Sequence, residues 1–143
     1  MVFYQINKRW SAAMILKGRT IYPGLTSGKA LVSQMGISFY GGVDPETGVV
    51  SEDGHDLQGL SIASKVLVFP TGKGSTVGSY VLYRLKKNGT APLAIINAEC
   101  ETITAVGCII AEIPCIDQVE LEKIVTGMTL QINAQTGEVE ILQ

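Results

Sequence analysis

The sequence predicts a mixed α/β domain, a β-rich frame into which one parallel strand–helix–strand unit is inserted, on three observations. Two short apolar runs, Lys65-Val66-Leu67-Val68-Phe69-Pro70 and Leu93-Ala94-Ile95-Ile96, bracket a stretch whose apolar residues recur at helical spacing. Uninterrupted apolar runs of that length belong to strands buried on both faces, and a helix between them gives a crossover long enough for parallel pairing. The chain before this unit is dense in short apolar runs and turns, and the chain after it closes on a hairpin pattern.

Taken in order, residues 1–13 carry no clear period and read as an N-terminal extension, mobile or packed on a partner. A single domain then spans 14–143. Its first part reads as strands over MILKGRTI, GKALVSQ and ISFYGGVD, broken at Pro23-Gly24 and Gly41-Gly42 and followed by the turn Asp44-Pro45-Glu46-Thr47-Gly48. Residues 51–59 (SEDGHDLQG) form a polar loop ahead of the first buried run. After Thr71-Gly72-Lys73-Gly74, the residues Val77, Tyr80, Val81, Leu82, Tyr83 and Leu85 set a helix that stops at Lys86-Lys87-Asn88-Gly89, with cations in its last turn and a glycine suited to the left-handed conformation. Thr102 to Ala111 fits either a strand or a short buried helix, and Pro114 closes it. Asp117 is placed to cap a short helix over 118–125, and TLQINA, Gln135-Thr136-Gly137 and EVEIL make the hairpin.

Composition narrows the function. Of 143 residues, 46% are hydrophobic and 17% charged, against about 25% charged in an ordinary domain. Mean hydropathy is +0.28, yet no apolar run approaches the ~20 residues that span a bilayer. The surplus is read as core plus a buried partner face. A net charge of −2 and 6% aromatics leave no footprint for nucleic acid. Asn7, Lys8 and Arg9 interrupt the leading apolar residues, so no signal peptide is expected, and three cysteines, an odd number, fit free thiols in the cytoplasm.

The segment suited to chemistry is Phe69-Pro70-Thr71-Gly72-Lys73-Gly74-Ser75-Thr76-Val77-Gly78-Ser79-Tyr80. Where a strand ends and a helix begins, free N–H groups and the positive end of the helix favour an anion, and glycines let it approach the backbone. A phosphate, a carboxylate or a developing alkoxide suits it equally; the plain alternative is that Ser75 is an N-cap worth about 1 kcal/mol. Gly24-Leu25-Thr26-Ser27-Gly28-Lys29-Ala30 falls one residue short of a P-loop and lacks its metal-binding hydroxyl. A dinucleotide fingerprint is also missing after Gly72-Lys73-Gly74. Cys100, Cys108 and Cys115 contain no CxxC pair and read as buried thiols. His55 reads as a solvated loop histidine with a weak claim on a site, and Glu99 and Glu101 as surface carboxylates with acid–base work as a minor option.

Gly18-Arg19, the run from Gly28 to Ser33, Ile37-Ser38-Phe39-Tyr40-Gly41-Gly42-Val43-Asp44-Pro45-Glu46-Thr47-Gly48, His55, the run from Phe69 to Tyr80, Asn88-Gly89-Thr90-Ala91-Pro92 and Ile113-Pro114 resemble the small subunits of the aconitase X group, most of all those of archaeal phosphomevalonate dehydratases. The resemblance covers nearly all of the chain after Met14. It implies a swivelling β/β/α domain, like the mobile domain of aconitases, that closes over a larger catalytic subunit. It implies a hydro-lyase that removes water from 5-phosphomevalonate to give trans-anhydromevalonate 5-phosphate. A [4Fe-4S] cluster on cysteines of the large subunit is expected to act on the leaving hydroxyl, while a serine of the small subunit takes the proton. Matching the motif puts that serine at Ser75, with Lys73, Gly74 and Thr76 as substrate-binding residues. A serine works as a base only as an alkoxide, and a helix start with glycine N–H groups and Lys73 supplies a field of the right sign. Ser79, one turn into the helix, has fewer free backbone donors. Lys73 either supports the alkoxide or holds the substrate's phosphate or carboxylate. Asp56 stands where many such chains have proline, which weakens any role for His55. The alternatives are a cis-3-hydroxy-L-proline dehydratase subunit of the same group and a non-enzymatic anion-binding module.

Overall fold

The computed structural model describes residues 14–142; the expected N-terminal extension lies outside them. Strands β1 (Met14–Lys17), β2 (Arg19–Tyr22) and β3 (Leu25–Val32) come first, then a short turn segment, α1 (Phe39–Gly42), in which Tyr40 (φ −77°, ψ 117°) and Gly41 (φ 81°) leave the helical region. The parallel unit follows as β4 (Val66–Phe69), α2 (Val77–Asn88) and β5 (Ala94–Asn97). Helix α3 (Thr102–Ala111), β6 (Cys115–Asp117), a 3₁₀ turn at Leu121–Lys123 and the hairpin β7 (Thr129–Asn133) and β8 (Glu138–Ile141) complete the chain.

All eight strands join one sheet in the order β1-β8-β7-β3-β4-β5-β6-β2. β3 to β6 run parallel, and the remaining neighbours are antiparallel. The two ends of that order, β1 and β2, are consecutive in sequence and meet at Gly18, so the sheet curls into a nearly closed barrel. Gly18 donates to Gly137 O at 2.7 Å. A Cβ on Gly18 would stand 2.3 Å from the Asp117 carbonyl, so the junction admits no side chain.

The central strands are apolar throughout because both of their faces are covered. Along β4, Val66 and Val68 enter the core inside the curled sheet with Ile96, Ile116 and Leu130. Leu67 and Phe69 point the other way, into the core beneath α2 and α3 with Leu82, Leu85 and Cys108. Helices α2 and α3 run parallel: Ser79 Oγ donates to Ile103 O at 2.7 Å, and farther along Lys86 Nζ donates to Glu112 O at 3.1 Å. Gly107 permits their approach, since a Cβ there would lie 3.2 Å from Ser79 Cα.

The strand–helix–strand unit, the Gly89 stop (φ 75°) and the closing hairpin agree with the sequence expectations. Thr102–Ala111 resolves as a helix. Two expectations are corrected. ISFYGGVD is not a strand: it forms α1, whose Gly41 adopts φ 81° and turns the chain. Asp117 caps nothing. It ends β6 fully buried and grips Arg19 by two hydrogen bonds, at 3.0 and 2.8 Å, while accepting a third from the Cys100 N–H at 2.9 Å. The P-loop-like segment 24–30 lies mostly in β3. Among the described residues no helix is long and apolar enough to cross a membrane.

Candidate functional site

The parallel strands β4 and β5 end on the same side as the starts of α2 and α3, and three loops meet there. Residues 71–76 leave β4, 98–101 leave β5, and 33–38 leave β3. The first and third are tied by backbone bonds, Ile37 N to Thr71 O at 3.3 Å and Lys73 N to Ile37 O at 2.8 Å. Asn97 Nδ2 donates to Phe69 O at 2.9 Å and fixes the ends of β4 and β5 to each other.

The two helices start differently. α3 begins under Glu101, whose carboxylate accepts from Ile103 N at 2.9 Å, Thr104 N at 2.7 Å and Thr104 Oγ1 at 2.6 Å. α2 begins at Thr76, already in helical backbone (φ −56°, ψ −26°), with no side chain on its free N–H groups. Ser75 precedes it, half-buried, its carbonyl accepting from Gly78 N at 2.7 Å. Its hydroxyl has no hydrogen-bond partner among the described residues. The N-cap reading of Ser75 is therefore not what the geometry uses. Ser79, by contrast, is 8% exposed and its hydroxyl is spent on the Ile103 carbonyl.

Lys73, Gly74 and Thr76 flank Ser75 and are exposed. The Lys73 ammonium pairs with Glu52 Oε2 at 2.9 Å, beside a cleft of about 280 Å³ lined by Ser38, Tyr40, Gly41 and Gly42. The glycine turn rests on the carboxylate that caps α3: a Cβ on Gly72 would fall 2.4 Å from Glu101 Oε1, and one on Gly74 would fall 3.6 Å from Oε2. Gly72 is thus required by the contact between the two helix starts.

A family model described as the aconitase X swivel domain matches residues 15–141. The chain belongs to the aconitase X swivel domain family. A phosphomevalonate dehydratase small subunit from Thermococcus kodakarensis is 57% identical over 130 residues, covering 91% of this chain and 98% of its own. One from Methanosarcina acetivorans is 56% identical, covering 90% of this chain and 91% of its own. The crystal structure of Thermococcus kodakaraensis aconitase X, holo-form, superposes with a TM-score of 0.90 at 56% identity, covering 91% of this chain and 99% of that one.

In this swivel domain the structure brings Lys73, Gly74, Ser75 and Thr76 together with Glu52 and Glu101. His55 is corrected: it is 5% exposed, its Nδ1 lies 3.1 Å from Leu57 N and 3.2 Å from Asp56 Oδ1, and its Nε2 lies 3.0 Å from Gly36 O, so the ring holds its loop. Asp56, standing where many such chains have proline, fastens the same loop by accepting from Ser33 Oγ at 2.6 Å and Gln34 N at 2.8 Å. Glu99 is exposed, whereas Glu101 is the α3 cap.

The cysteines form a buried cluster, with Cys100 and Cys115 sulfurs 3.9 Å apart. A hydrogen bond to Cys115, and then burial, raises the Cys100 pKa far above that of an ordinary thiol. For Cys115 the bond from Cys100 pulls downward but is outweighed by the bond to Cys108 and by burial, so it too stays protonated. Among the described residues no three His, Cys, Asp or Glu side chains are arranged to hold a metal ion. The described residues do not fit an iron–sulfur cluster.

Proposed function

We infer that this chain is the small subunit of a phosphomevalonate dehydratase, a hydro-lyase that turns over only when joined to a larger subunit. The observation that carries the reading is a serine without a hydrogen-bond partner among the described residues, at an uncapped helix start, in a chain more than half identical to small subunits of that name over nearly their whole length.

Removal of water from 5-phosphomevalonate needs a base to take a proton from the carbon next to the one that loses hydroxyl. Ser75 Oγ is that base. Its hydroxyl proton must already be gone, and free N–H groups at the start of α2 stabilise the alkoxide in place of water. Lys73 adds positive charge at the same turn and holds an anionic group of the substrate. Its pairing with Glu52 fixes where the ammonium stands before substrate arrives. Gly74 lets the substrate approach the backbone, and Thr76 offers a hydroxyl beside it. An iron–sulfur cluster would be held by the larger subunit, where it would supply Lewis-acid chemistry at the leaving hydroxyl. The setting is the cytoplasm.

The test is to combine this chain, without oxygen, with the larger subunit from the same genome and to follow dehydration of 5-phosphomevalonate. The wild-type pair turns over, and the pair carrying Ser75→Ala does so at least about 10²-fold more slowly. Undiminished turnover by Ser75→Ala overturns the base assignment. Turnover of cis-3-hydroxy-L-proline alone overturns the substrate.

A further inference from the structure

Helix α3 carries no charged residue at all, yet one side of it faces solvent. Val106, Ile109 and Ile110, at helical spacing i, i+3, i+4, form an apolar stripe there, Ile109 and Ile110 each 49% exposed. Its parallel neighbour α2 presents Tyr80 and Tyr83, 58% and 37% exposed, their rings 6.3 Å apart. The register of the pair, Ser79 beside Ile103, Gly107 against Leu82 and Lys86 beside Glu112, sets Tyr83 level with the middle of α3. The two stripes therefore make one outer face. A helix this apolar in water marks a covered surface, and aromatic residues among aliphatic ones are the composition of an interface core.

We propose that this outer face of α2 and α3 is where the larger subunit of the enzyme docks. The proposal rests on the functional reading above, and its occupant follows from where the face ends. Its N-terminal edge is the catalytic turn itself: Ile103, which leads into the α3 stripe, lies 3.7 Å from where a Gly74 Cβ would be and 3.3 Å from where a Gly78 Cβ would be. In the chain by itself Lys73, Gly74 and Thr76 are open to water. A serine alkoxide cannot persist there, so a second surface must lie over that end. Whatever covers the turn abuts the stripe, and a second copy of this chain would bring another base but no complementary catalytic groups.

Ile110→Lys and Tyr80→Lys place a charge in the face at exposed positions. Leu25→Lys, 66% exposed at the opposite end of β3, serves as the control. Affinity for the larger subunit is measured by sedimentation, with circular dichroism confirming that each variant is folded. Both face variants weaken binding by more than about 30-fold, the loss expected for an interface hot spot, while Leu25→Lys stays within about twofold of wild type. Wild-type affinity in both face variants overturns the proposal. So does absence of any complex, a self-associating chain that these substitutions render monomeric, or binding that depends on residues 1–13 and not on the face. Because the readout is binding, a complex that forms but leaves phosphomevalonate unchanged refutes the functional reading and leaves the face assigned.

Discussion

Helices α2 and α3 lie side by side, point the same way and begin at the same end of the sheet, yet their first turns are treated oppositely. α3 starts closed, its free donors taken by Glu101. Among the described residues α2 starts open, with no side chain on its donors and a serine without a partner in front. Omitting a cap costs about 1 kcal/mol. The domain accepts that cost at one helix and avoids it at the helix touching it. The carboxylate that closes α3 also sets the floor on which the open turn rests.

The contrast can be broken or sharpened by substitution. Ser75→Ala should lower kcat of the assembled enzyme by about 10²–10⁴, the contribution of a positioned base, while the urea midpoint of the isolated chain barely moves because no cap is lost. Gly72→Ala forces a methyl group into the Glu101 carboxylate and the Thr104 hydroxyl. It should destabilise the chain by about 1–3 kcal/mol in urea unfolding and reduce activity as well, since it pries the two helix starts apart. Glu101→Ala, which opens α3, should cost about 0.5–2 kcal/mol, with Glu101→Gln recovering part of it because an acceptor oxygen remains. Thr76→Asp adds a negative charge at the start of α2. It should raise stability by about 0.3–1 kcal/mol and lower kcat, because the same charge opposes an alkoxide at Ser75. A Thr76→Asp enzyme of normal kcat would show that the helix start is not the source of the serine's reactivity.

The open turn was legible in the sequence and the closed one was not, for a physical reason. Ser75 sits in a run of glycines and hydroxyls bounded by a buried strand and a clear helical period, all local signals. Glu101 is a weak N-cap type, and the helix it caps, TITAVGCIIA, is too uniformly apolar for its periodicity to be told from a strand. Asp117 preceded a plausible helix and looked like a cap. Its real partner, Arg19, lies 98 residues away, a pairing that no local pattern announces. His55 appeared solvated because its neighbours in sequence are polar; what buries it is the 33–37 segment, to which Asp56 is tied. ISFYGGVD reads as a strand on its aromatic and branched residues, and Gly41 turns it instead. The strand–helix–strand unit follows from signals within its own stretch and was legible, whereas the surroundings of Asp117 and His55 are set by segments distant in sequence.

The closure at Gly18 bears on how the chain reaches its fold as the ribosome delivers it. β1 finds its partner in β8 and β2 finds its partner in β6, both close to the end of the sequence. The earliest strands to emerge must wait for the last, while β4, α2 and β5 can assemble among themselves. The final event is then a hasp dropping shut, with the two ends of the sequence brought together across almost the whole length of the chain. High contact order of this kind makes folding slow. Residues Met14 to Lys17, hanging loose in the interval, are the stretch that a nascent-chain crosslinking experiment should catch unpaired until β8 has cleared the exit tunnel.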